Sequence, residues 1–281
     1  MWNKIYRVYS FQMKQMRSTQ RVIFIFILIN IFVFSNLQGV LDFSFDAGIS
    51  VTPWSFSHIT SDYICQLVIM AGAVALFCDA PFKSDLTKYI LPRAGYSAWS
   101  CGHCMYILVL SFLYISAILL SSILSLLPNM HLESEWGKIW GTLARTVIGS
   151  NYNIPFIISN YIIGVYTPLQ ATTLSYLLSW CCCVWLGLIT YLFNTLSNSY
   201  AGTFIAAGCI LMDITVANEW LPWFYKISPV TLSQLQALMG NDSLYKVTLE
   251  YAICFFGISI AVLLVGCVIT PKIQSVRRKR K

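Results

Sequence analysis

Six apolar runs separated by polar segments dominate the chain. They fall at residues 22–41, 61–78, 104–127, 170–193, 200–217 and 247–269. Each comes close to the ~20 residues a helix needs to cross a hydrocarbon layer about 30 Å thick. The pattern predicts an all-α, polytopic membrane protein with six transmembrane helices in a single transmembrane domain over residues 1–281. Within it lie an N-terminal interfacial helix at 1–20, a six-helix bundle at 22–269 and a basic tail at 270–281.

The polar segments carry patterns of their own. In residues 1–20, Trp2, Ile5, Tyr6, Tyr9, Met13 and Met16 share one helical face, and Lys4, Arg7, Lys14 and Arg17 the other. That is the layout of an amphipathic helix lying on an anionic leaflet. Asp79 to Tyr106 is the one long polar break in the first half. Its Ser84–Leu91 portion predicts a short helix, with Ser84 as cap, Asp85 in the first turn and Pro92 as its end. Leu86, Tyr89 and Ile90 form one apolar edge of that helix. Gly95 then permits a turn, and the next helix is expected to enter the membrane at Cys104. Ile154–Val165 is apolar but too short to span. Residues 218–246 predict two short helices around Ile227-Ser228-Pro229, folded over one end of the bundle.

Charge orients the bundle. Of the 18 Lys and Arg residues, 14 fall on the side that carries both termini and the 79–106 break. The other side holds only Lys138, Arg145, Lys226 and Lys246. By the positive-inside rule both termini are expected in the cytoplasm. Only 10% of residues are charged, against about 25% in soluble domains, so a net charge of +7 reads as topology rather than nucleic-acid binding. The first apolar run lacks a small-residue cleavage site, so no removable signal is expected. Trp54, Trp136, Trp140, Trp220 and Trp223 are expected to form an aromatic belt at the outer interface. Small residues at Ala71, Gly72, Ala73 and Ala75, and at Ala201, Gly202, Ala206, Ala207 and Gly208, mark packing seams within or between subunits.

Few residues offer chemistry. Cys101-Gly102-His103-Cys104 has the letters of a thiol–disulfide active site. It lacks the soluble strand–helix context, and no second ligand pair lies nearby, so neither a redox nor a metal site is expected. Cys181, Cys182 and Cys183 point in different directions on a helix and cannot converge on one ion. Asp62, Asp213 and Glu250 sit at or inside span ends, where water is expected to reach them. An intramembrane acid is a functional candidate, and Asp213 is the deepest. It is read as an ion or proton site, a latch to the 218–246 segment, or a solvated interface acid. No P-loop, zinc-protease or nucleophile-elbow motif occurs.

Asp79-Ala80-Pro81-Phe82, then Tyr89-Ile90-Leu91-Pro92-Arg93, then Trp99, Gly102 and Tyr106-Ile107 resemble the coupling loop of small bacterial ABC transporter permeases of the export type. Ile227-Ser228-Pro229-Val230 is similar to the motif those ABC type-2 permeases carry before span six. The layout of the whole chain matches. His103 stands where a basic residue is expected, and the Glu-Ala-Ala coupling motif of importers is absent. The resemblance implies a permease subunit in a bacterial cytoplasmic membrane, not itself an enzyme and without a cofactor or metal of its own. ATP and Mg would be held by a partner ATPase, and a second permease subunit, identical or not, would complete the pore. The load would be amphipathic: a peptide, drug or lipid. Ser84, Asp85, Leu86, Tyr89, Ile90 and Arg93 would contact the ATPase. Asp213, Trp220, Trp223 and Pro229 would belong to an outer gate. Beside membrane lipids no other ligand is implied, and no nucleic acid. Two further classes fit less of the chain. One is a non-transporting immunity or sensor subunit that binds a peptide or partner. The other is an ion-driven transporter using Asp213 or Glu250, which would need inverted repeats and more intramembrane charge.

Overall fold

The computed structural model describes residues 1–17, 19–81, 87–239 and 247–279; of residues 17, 87, 88, 222 and 271–279 only the backbone is described. The described residues form twelve α-helices and no strand, with one isolated parallel bridge between Val51 and Met130. In chain order the helices are α1 Trp2–Arg17, α2 Gln20–Asp46, α3 Phe56–Ile59, α4 Tyr63–Phe77, α5 Thr87–Ala94 and α6 Tyr96–Leu126. There follow α7 Gly137–Arg145, α8 Asn160–Val165, α9 Pro168–Ser197, α10 Ala201–Ala217, α11 Pro229–Ser233 and α12 Leu249–Lys279.

Four helices (α2, α6, α9 and α12) are long and apolar enough to cross a membrane. The second and fifth of the six expected spans, α4 and α10, are shorter, at 15 and 17 residues. At 1.5 Å per residue they reach only about 22 and 26 Å. Local chemistry sets those limits. Asp62 caps α4, its Oδ1 accepting from the Ile64 and Cys65 amides at 3.0 Å each. Asn198, in the left-handed conformation, separates α9 from α10.

The bundle is built around α9, the most deeply buried of the four long helices. It packs against α12, α10, α6, α4 and α11, and α6 in turn holds α1, α2 and α12. One glycine of each expected seam makes a close contact within the chain, while Gly208 of the second faces open space. Gly72 of α4 faces Tyr114 of α6, whose hydroxyl donates to the Ile69 carbonyl at 2.8 Å. Gly202 of α10 lies against Thr190 and Asn194 of α9.

Three expectations are corrected. First, α1 does not simply lie on a leaflet. Its Ile5, Val8 and Gln12 are buried, and it packs along α6. A Cβ on Gly102 of α6 would stand 2.6 Å from Val8 Cγ1, so glycine is what lets the two helices meet. Trp2 and Tyr6 remain exposed on the same helix. Second, Pro92 does not end α5 but lies inside its last turn. A proline there forfeits one backbone hydrogen bond in a helix about to stop. Gly95, at φ 85°, makes the expected break, and α6 starts directly after it at Tyr96. Third, Trp136 and Trp140 form no surface belt. Both are buried, with their indole nitrogens donating to the Tyr166 and Thr52 carbonyls at 2.9 and 3.0 Å. Trp220 and Trp223 are exposed as expected.

Candidate functional site

Two ends of the bundle carry the residues of interest. At the first end, α5 stands between α4 and α6 in the chain and touches only α6 and α1 among its larger contacts. Tyr89 projects from it, 70% exposed, with Arg93 exposed and Ile90 half-buried. Ser84, Asp85 and Leu86 lie outside the described residues. The turn leading to α5 is anchored from both sides. Arg21 of α2 pairs with Asp79. Asn194 of α9 donates to the Ala80 carbonyl at 2.8 Å, and its side-chain oxygen accepts from the Gly202 amide at 2.8 Å. One amide thereby ties the Asp79–Pro81 turn to α9 and to the start of α10. A cavity of about 430 Å³ opens beside this turn, lined among others by Gln12, Arg21, Asp79 and Asn194.

The second end is closed by a buried polar layer. Asp213, 1% exposed, accepts from Thr231 Oγ1 at 2.6 Å and from Gln234 Nε2 at 3.0 Å. Both donors belong to the α11 segment, which follows the motif around Ser228 and Pro229. Ser228 caps that short helix through the Thr231 amide at 3.3 Å, with Pro229 in its first turn. The whole of α11 is buried against α9, α10 and α4, so it enters the bundle rather than lying over it. Gln66 of α4 completes the layer, its Nε2 donating to Ser233 at 2.7 Å and to Ser179 at 3.2 Å. Water does not reach Asp62 and Asp213 as expected: both are buried, Asp62 as the α4 cap. Among the described residues Asp213 has no cationic partner, and its carboxylate accepts from neutral donors only, both on the α11 segment. Glu250 is exposed in the first turn of α12 and takes no part. Trp220, Trp223 and Pro229 do not converge. The indoles face outward and the proline sits in the core.

The same end carries a tryptophan–histidine stack. His58 of α3 is fully buried, with ring centroids 4.9 Å from Trp136 and 5.3 Å from Trp140. Among the described residues neither ring nitrogen has a hydrogen-bond partner. Burial pushes this imidazole down to about 3, so it stays neutral. An open cleft of about 1240 Å³ lies beyond the stack, with Glu133, Glu135, Lys138 and Arg145 on its walls.

The Cys101–Cys104 motif is structural. Gly102 seats α1, and His103 is buried between Trp99 and Tyr191, with centroids at 4.5 and 5.4 Å and Nδ1 2.9 Å from the Trp99 carbonyl. The ten cysteines are unbridged, and among the described residues no three His, Cys, Asp or Glu side chains gather as metal ligands. Sequence reasoning missed Gln66, Thr231, Ser233 and Gln234. The available signal was Gln66 itself, an amide in the middle of an apolar run.

Comparison with protein-family models, with curated proteins and with solved structures returned no match.

Proposed function

We propose that this chain is the membrane permease subunit of an ATP-driven exporter, moving an amphipathic load such as a peptide, drug or lipid. The observation that carries the reading is Tyr89: a large aromatic, mostly exposed, on an eight-residue helix packed on α1 and the start of α6. A single exposed aromatic is ordinary on a surface, so Tyr89 supports the reading together with the exposed Arg93 and half-buried Ile90 beside it on the same helix. A partner ATPase is the occupant that the coupling-loop resemblance implies. In this reading the six apolar runs all span, both termini are cytoplasmic, and two permease subunits pair. Residues 84–86 with Tyr89, Ile90 and Arg93 follow the ATPase between its two states, which requires different contacts in each. The α11 segment, latched by Asp213, would be the outer gate. ATP and Mg remain on the ATPase.

A photo-crosslinking residue at position 89, introduced in the native host, tests this. The expected adduct contains a P-loop ATPase. Adducts with lipid alone, at normal abundance, would remove the coupling assignment.

A second reading draws on the cleft beyond His58. Its two acids and two bases, Glu133, Glu135, Lys138 and Arg145, suit a zwitterionic peptide, as a non-transporting immunity or sensor subunit would require. That reading predicts peptide binding without any associated ATPase.

A further inference from the structure

We propose that the groove between α1 and α5 binds the headgroup of an anionic phospholipid. The groove encloses about 360 Å³, within the range of small-ligand sites. Lys4 and Arg7 line it from α1, and Arg93 from α5. None of these three side chains makes an ion pair or hydrogen bond to a described residue. No carboxylate lines the groove among the described residues, and Asp79, at the same end, is held by Arg21. Three unpaired cations around one concavity call for an anion. The rest of the lining is Tyr89 and the apolar Val8, Phe11, Ile90 and Ala94. A free inorganic anion gains nothing from that surface, whereas a phosphodiester with acyl chains attached uses both.

The level of the groove selects the same ligand. Helix α6 has 31 residues and is about 46 Å long, well beyond the ~30 Å hydrocarbon layer. Its ends therefore stand in the headgroup regions. Helix α1 is docked on its first turns, at Gly102, and carries exposed Trp2 and Tyr6, residues suited to that interface. Tyr89 also lines the groove and is 70% exposed. The proposal does not rest on the exporter reading, because its key cations are on α1.

The test is native mass spectrometry of the full chain in nanodiscs of equal phosphatidylglycerol and phosphatidylcholine. The expected result is selective retention of phosphatidylglycerol, falling roughly fivefold for each cation removed in Lys4→Gln and Arg7→Gln. Arg145→Gln, at the other end, should change nothing. Arg93→Gln, on the opposite wall, gives an independent reading should the α1 variants accumulate poorly. Equal retention of the two lipids, or retention unchanged in Arg7→Gln and Arg93→Gln, would overturn the proposal. Displacement of the lipid by millimolar inorganic phosphate would overturn it too, by showing a site for free anions.

Discussion

The two ends of this bundle are built on opposite plans. One end is basic and open. One helix leans on it through a glycine contact, a second packs beside the first, and among the described residues Lys4, Arg7 and Arg93 are unpaired. The other end is sealed beneath its open cleft. A short helix enters the bundle, an acid is satisfied by neutral donors, and a histidine is stacked on two tryptophans. The first plan keeps surface available, and the second hides polar groups at the cost of satisfying them internally. An assembly that receives something at one end and holds a closed segment at the other needs both plans.

The sealed end should be the more fragile. Trp140→Ala removes a fully buried indole and its bond to Thr52, and should cost about 3–5 kcal/mol, read as a large fall in Tm in detergent. A loss confined to the loops, with Tm unchanged, would show that this end is not integral to the fold. Acid should act on the same stack. The unfolded chain protonates His58 near pH 6.5, the folded chain only near 3, so stability is complete above 6.5 and falls as pH drops towards 3. The slope contributed by this one group reaches ~1.4 kcal/mol per pH unit. His58→Phe should abolish that component, and an unchanged acid profile in the variant would remove His58 as its source.

Asp213→Ala strands Thr231 and Gln234 and should cost about 1–3 kcal/mol. Its specific signature is labelling of a Ser233→Cys probe, buried in the parent and reactive in the variant. A probe that stays silent would mean that packing, not the acid, holds α11 in place. At the open end, Gly102→Val should displace α1 by overpacking, also at about 1–3 kcal/mol, but locally. Proteolysis near residue 18 should quicken while the bundle melts almost as before. The smallest effect on stability belongs to Tyr89→Asp, which is expected to leave Tm within about 0.5 kcal/mol of the parent, as an exposed substitution does. A larger fall would mean that Tyr89 is structural.

The contrast also separates what was legible in the sequence from what was not. Apolar runs located α2, α6, α9 and α12, because membrane-length hydrophobicity is a local property, while the polar ends of α6 and α12 extend eight and ten residues beyond their runs. The short helices around Ile227–Pro229 were legible for the same reason, in proline and serine. Burial of α11 was not, since Thr231, Ser233 and Gln234 read as loop residues until Gln66, Ser179 and Asp213 from distant stretches supply partners. Trp136 and Trp140 misled in the same way: an indole suits an interface or a core, and only the Thr52 and Tyr166 carbonyls decide. Pro92 was over-read as a stop, although a proline in a last turn costs little beyond one bond. Gly102 was noticed for its cysteine neighbours, and its role came from a close approach by α1.

The central claim, a permease that works through a partner at the α5 end, is tested most directly by purifying the tagged chain from its native host in mild detergent and identifying its companions by mass spectrometry. The account predicts a P-loop ATPase in the wild-type sample and its loss from Tyr89→Asp at equal abundance. A wild-type preparation of normal yield with no ATPase would contradict it and turn attention to the cleft beyond His58.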